Sequence, residues 1–136
     1  MIVVDASVLT RFLALDDDEG GTARALLKQE RVISIPDVAD VEAVSALRGM
    51  WLGRLITERR FGVAVDHLTA LPLRRFPTRP LLSRTFELRH NLTPYDAAYV
   101  ALAEGLGCPL VTADSRLARA PGVRCPVTVL TAAGGQ

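Results

Sequence analysis

Two rhythms of apolar and polar residues alternate along the chain. Short apolar runs, β-branched at residues 2–4, 32–35 and 127–130, read as buried strands, and 73–76 and 109–112 fit between them. Pro36 and Pro77 close the second and third runs. Val8, Leu9, Phe12 and Leu13 repeat at helical spacing over 6–15. The acidic, glycine-bearing stretch 16–21 predicts a turn whose acids also favour the start of the next helix, and that helix, over 22–30, is expected with Ala25, Leu26 and Val32 facing inward. Asp37 or a neighbour should cap a third helix running to about Met50, with Val38, Val41, Ala46 and Leu47 among its apolar positions. Gly49 and Gly53 weaken that helix around Met50, Trp51 and Leu52. A fourth helix fits 57–71, and Pro80 suits the first turn of one continuing to His90. Thr93 and Pro94 make a strong start, N-cap then N1, for a helix ending at Gly105 or Gly107. A short helix over 115–120 precedes the last strand.

Short strands separated by helices predict an α/β fold, a parallel sheet covered on both faces. The length of 136 residues suits one domain, assigned to residues 1–131, with a frayed tail at 132–136. No repeat or linker divides it. No apolar stretch approaches the ~20 residues needed to cross a bilayer. The opening MIVVDASVLTRF has an acid at position 5 and no basic segment, so it reads as a first strand and not a signal peptide. A cytoplasmic location, away from membranes, is the expectation. Cys108 and Cys125 lack metal-ligand spacing and read as reduced thiols; His67 and His90 read as surface residues.

A net charge of +1 argues alone against a nucleic-acid binder, but its distribution qualifies that. From Arg48 to Arg89 nine arginines face only Glu58, Asp66 and Glu87, leaving seven basic and twelve acidic residues elsewhere. This asymmetry suggests a basic face beside an acidic site.

Four acids carry the chemistry. Asp5 ends the first strand, Asp114 lies two residues past Thr112, Asp96 sits in the first turn of its helix, and Glu42 lies among Val41, Ala43 and Val44. Open α/β sheets bind ligands beyond the carboxyl ends of their strands, where such positions converge. Each acid also has a structural use. Asp5 and Asp114 could cap helices, Asp96 suits a helix dipole, and an arginine could pair with Glu42. Clustered carboxylates repel and raise one another's pKa unless a cation relieves them. Oxygen-only ligands select Mg²⁺, with Mn²⁺ as a substitute, and argue against zinc. Paired ions ~3.5–4 Å apart can activate water and polarise a phosphodiester. Ser7 and Thr112 could orient a carboxylate or phosphate, or simply cap the backbone.

The segments MIVVDASVLTRFL, DVEAVSALRG, TPYDAAYVALAEGLG and LVTADSRLARA together resemble the PIN-domain family, most closely its VapC-type toxins. The resemblance implies a three-layer α/β/α fold with a five-stranded parallel sheet, and Mg²⁺-dependent endonucleolytic cleavage of RNA. It maps the family's acids onto Asp5, Glu42, Asp96 and Asp114 as catalytic and metal-binding residues, and its active-site hydroxyl onto Thr112, with Ser7 in support. Many relatives carry a further acid after the last aspartate, where this chain has Ser115 and Arg116. One metal site is then formed by the protein, with a second ion completed by the RNA phosphate. Arg48 and Arg116 are the candidate RNA contacts. The resemblance further implies a homodimer and a VapB-type antitoxin, for which Met50, Trp51 and Leu52 are candidate contacts, core packing of Trp51 being the alternative.

Two other readings compete. An inactive PIN-like module binding RNA or protein would keep the fold without the acids. An aspartate-based phosphotransfer enzyme would need a lysine at a strand end, and the sole Lys28 lies elsewhere.

Overall fold

Ile2, Val3 and Val4 are all buried, as befits a central strand covered on both faces. In this computed structural model, which describes residues 1–131, they form β1 (Ile2–Val4), flanked by β2 (Ile33–Pro36) and β4 (Leu110–Thr112). With β3 (Arg74–Phe76) and β5 (Val127–Val129) they make one all-parallel sheet of order β3-β2-β1-β4-β5. Five expected strands are present, each within a residue of its expected bounds. The expected frayed tail lies outside the described residues.

The chain builds outward from β1 through β2 to β3, then returns to place β4 on β1's other side. The order therefore reverses between β1 and β4. Right-handed crossovers put the helices of the two directions on opposite faces. On one face α1 (Ala6–Ala14) packs against α2 (Asp18–Gln29), α3 (Val38–Leu52) and α4 (Glu58–Ala70). On the other, α5 (Leu82–Glu87) packs on α6 (Pro94–Leu106), which crosses β1, β2 and β4. The short α7 (Ser115–Ala118) leans on β5. Leu9, Ile35, Leu47, Leu68, Tyr99 and Leu110 are the largest side chains sealed between these layers. Among the described residues no helix is long and apolar enough to cross a membrane.

Local differences from the expected elements have physical causes. The stretch 16–21 is not a turn: Asp17 accepts from the Glu19 and Gly20 backbone N–H groups at 3.1 and 3.2 Å and starts α2 at Asp18. Gly20 serves close packing, since a Cβ there would stand 1.8 Å from the Leu15 carbonyl oxygen. Within α2 Ala23 faces inward and Ala25 is exposed, while Leu26 packs on the core as expected. Asp37 occupies the cap position of α3 without capping it; its carboxylate accepts from the Thr78 N–H at 3.2 Å and hydroxyl at 2.6 Å. α3 runs through Gly49 to Leu52 and stops at Gly53. It buries Ala39, Ala43 and Leu47, leaving Val41 and Ala46 exposed. The helix expected to reach His90 is a 3-10 turn (Arg79–Leu81) followed by α5, which ends at Glu87. Likewise α7 ends at Ala118, short of 120. Cys108 and Cys125 are free, and His67 and His90 are exposed, as expected.

Candidate active site

β1 ends where the strand order reverses, and its next residue is Asp5. This carboxylate is only 5% exposed. It caps α1, one oxygen accepting from the Val8 N–H at 3.2 Å and from the Ser7 hydroxyl. Its other oxygen accepts from the fully buried Thr112 hydroxyl at the end of β4. Each hydroxyl also accepts from the loop beyond β4: Ser7 from the Ala113 N–H and Thr112 from the Asp114 N–H, both at 3.0 Å. Ser7 and Thr112 therefore clamp β1 to the β4–α7 loop through Asp5. Burial pushes the Asp5 pKa up, and these hydrogen bonds offset part of the rise.

Thr93 caps α6, accepting from the Asp96 N–H at 3.2 Å, with Pro94 in the first turn. Asp96 is half-buried, its pKa raised by desolvation and then by the charges of Asp5 and Asp114. One turn on, the buried Tyr99 donates its phenol to Glu42 of α3 at 2.5 Å. Glu42's pKa is raised by burial; the phenol opposes this, while Asp96 and Asp5 add to it. These effects link all four acids into one electrostatic group. Tyr99 was not among the expected site residues. Its place three residues after Asp96, on the same side of a helix, was the available signal.

Asp114 differs. It caps α7 through the Arg116 N–H at 2.9 Å and holds the Arg116 guanidinium at 3.1 and 2.9 Å. That arginine lowers the Asp114 pKa. Asp96, Asp114 and Arg116 line a cleft of about 220 Å³ with Asn91, Thr93 and Leu117. Arg48 is exposed on α3, away from this cleft's lining. Trp51 is half-buried with its ring 6.0 Å from Phe61, Met50 packs on the core, and Leu52 is 56% exposed.

The donor set is carboxylate and hydroxyl oxygen, suited to a hard divalent cation. Among the described residues no three Asp, Glu, His or Cys side chains already stand at ion-holding spacing. Tyr99 bonds one oxygen of Glu42 and can keep it while the other binds an ion, whereas Arg116 holds both oxygens of Asp114, so closing the set requires Asp114 to exchange partners.

The PIN domain model matches residues 2–123. Ribonuclease VapC1 of Mycobacterium tuberculosis is 43% identical over 129 residues, covering 94% of this chain and 96% of that protein. The crystal structure of M. tuberculosis VapC20, described as a Sarcin-Ricin loop cleaving toxin, superposes with a TM-score of 0.68 at 20% identity, covering 91% of this chain and 97% of that one. VapBC2 of Rickettsia felis, solved on a promoter DNA fragment, gives 0.68 at 14% identity, with 96% and 100% covered. These last two likenesses concern the fold; the family model and the VapC1 identity concern descent, and by both the chain belongs to the PIN-domain family.

Proposed function

We propose that this protein is a Mg²⁺-dependent endoribonuclease, the toxin of a VapBC-type pair, hydrolysing RNA phosphodiester bonds. The observation that carries this reading is the convergence of Asp5, Glu42, Asp96 and Asp114 at the strand-order reversal, in a chain 43% identical to a protein named a ribonuclease. Asp5 and Asp96 would hold the cation, with Glu42 joining through the oxygen Tyr99 does not bind and Asp114 once released from Arg116. A bound Mg²⁺, or Mn²⁺ in its place, supplies positive charge to the scissile phosphate and lowers the pKa of water. The chain's own contribution is positioning. Ser7 and Thr112 fix the orientation of Asp5, and the buried Tyr99 does the same for Glu42. Arg116, 84% exposed at its side chain, can turn from Asp114 to a phosphate without crossing the core. Arg48 adds positive charge for a phosphate farther along the strand.

A VapB-type antitoxin as partner belongs to the same reading, supported by the relatives' names and by the toxin–antitoxin complex among the structural neighbours. Trp51 and Phe61 line a groove of about 430 Å³ between α3 and α4 that suits an apolar anchor of that partner. Homodimerisation in the cytoplasm completes the proposal.

The test is cleavage of a single-stranded RNA by purified protein, with Mg²⁺ and with EDTA. Asp5→Asn and Asp96→Asn should lower the rate at least about a hundredfold, of the order expected when a group central to charge stabilisation is removed. Both should keep the wild-type circular dichroism spectrum. Equal cleavage by variants and wild type would refute the proposal.

A further inference from the structure

Tyr95, the residue before Asp96, has 54% of its surface exposed at the start of α6. With Val38, Val41, Glu42, Ser45 and Ala46 of α3 it lines a cleft of about 520 Å³. Three of the α3 side chains there are apolar, and Val41 is itself 72% exposed. Two are polar, the Glu42 carboxylate and the Ser45 hydroxyl. Tyr95 adjoins Asp96 in α6, and Tyr99 one turn on donates to Glu42, so the cleft shares Glu42 with the candidate active site. Arg48, one turn past Ser45 on α3, extends the same helix face.

The aromatic rings of this chain are otherwise engaged. Phe12 meets His67, Trp51 meets Phe61, Arg74 and Arg89 lie over Phe76 and Phe86 at 5.6 and 4.1 Å, and Tyr99 is buried and bonded to Glu42. Among the described residues Tyr95 has neither an aromatic nor a cationic partner across its ring. An open ring face, an apolar floor and two polar groups form a slot for a flat heterocycle with hydrogen-bonding edges. Its position next to the acids requires that heterocycle to be tethered to the phosphate they receive.

We propose that this cleft is a nucleobase subsite, in which Tyr95 stacks on one unpaired base adjoining the scissile phosphate. The proposal rests on the ribonuclease reading. It also restricts the substrate to single-stranded or looped RNA, since a paired base cannot enter. Stacking on tyrosine tolerates any base, so edge preference falls to Ser45.

The experiment uses single-stranded RNAs carrying 2-aminopurine at successive positions. Fluorescence is read on the full chain in EDTA, and cleavage in Mg²⁺. The expected result is quenching at one position by the wild type, lost in Tyr95→Ala and restored in Tyr95→Trp. Tyr95→Ala should lower kcat/KM about tenfold, in line with the loss of one stacked base. An RNA abasic at the quenched position should be cleaved equally by wild type and Tyr95→Ala. Unchanged thermal stability of the variant will separate this from misfolding, as its exposed position predicts. Unchanged quenching and kcat/KM in Tyr95→Ala overturn the subsite while leaving the ribonuclease reading intact. Tyr95-dependent quenching without cleavage by the wild type keeps the subsite and overturns the ribonuclease reading; neither signal overturns both.

Discussion

Thr112→Val removes one oxygen from the clamp between β1 and the β4–α7 loop while keeping the side chain's volume and its branch. Thr112 is fully buried, so water cannot replace the hydroxyl. Two hydrogen bonds go with it: the one donated to Asp5 and the one accepted from the Asp114 N–H at 3.0 Å. A bond to a charged group contributes roughly 1.5–3 kcal/mol and a neutral one roughly 0.5–1.5. The expected loss is therefore about 2–4 kcal/mol. With an m-value of about 2 kcal/mol/M, the urea midpoint should fall by about 1–2 M. Unfolding is followed by tryptophan fluorescence at pH 7 in EDTA, with Ser7→Ala as the control. Ser7 makes the analogous pair of bonds but is only partly buried, so water can stand in and the cost should be about 1 kcal/mol. The effect also depends on pH. The Thr112 hydroxyl holds the Asp5 pKa down against burial, so deleting it raises that pKa further. A raised carboxylate contributes stability that is full below its unfolded value, ordinarily 3.8, and is lost as pH rises through its folded value. The variant should therefore be most impaired near neutrality and least impaired near pH 4. A loss under about 1 kcal/mol at pH 7, or one independent of pH, would refute the clamp.

Three shorter predictions follow from the same acids. Asp96→Asn removes a half-buried charge whose pKa is raised by desolvation and by Asp5 and Asp114; without metal it should be more stable than wild type at pH 7, the difference vanishing near pH 4, as read by thermal melts in EDTA. Tyr99→Phe deletes the phenol that holds the Glu42 pKa down against its burial. The acidic limb of the cleavage profile should move to higher pH, and an unmoved limb would separate Tyr99 from the chemistry. Arg116→Ala removes a cation that already occupies Asp114. Mn²⁺ should then bind several-fold more tightly by calorimetry with no change in thermal stability, and weaker binding would contradict a role for Asp114 in holding the ion.

The sheet was legible in the sequence because its strands are short runs between turns, and the central ones, β1, β2 and β4, are almost wholly apolar and buried; the edge strand β3, Arg74–Phe76, was legible chiefly from Pro77 and its spacing. Helix boundaries were legible where a side chain caps the backbone, as at Thr93, and obscured where a residue served a second purpose. Gly20 looked like chain reversal, yet its hydrogen side chain is what lets α2 approach Leu15. Asp37 looked like a cap, but Thr78, 41 residues later, takes its carboxylate. On α3, apolar residues on every side hid which face is inward, and only close packing on α1 selected Ala39, Ala43 and Leu47. Asp5, Asp96 and Asp114 were singled out from their places at strand and helix ends, and Glu42 from its apolar neighbours. Their partners were not, since Tyr99 reads as one more core aromatic until α3 brings Glu42 to it across 57 residues.

Asp5 is at once a helix cap and the most buried acid of the candidate site, and this ties the gene's fate to a single codon. Asparagine caps a helix as well as aspartate does, and one base change converts an aspartate codon to an asparagine codon. On the ribonuclease reading, mutation at this position would remove the carboxylate while keeping the cap. A lineage could then pass from active to inert copies through an intermediate that keeps its helix cap. Such inert copies would persist as folded proteins, still able to occupy whatever partner restrains the active form.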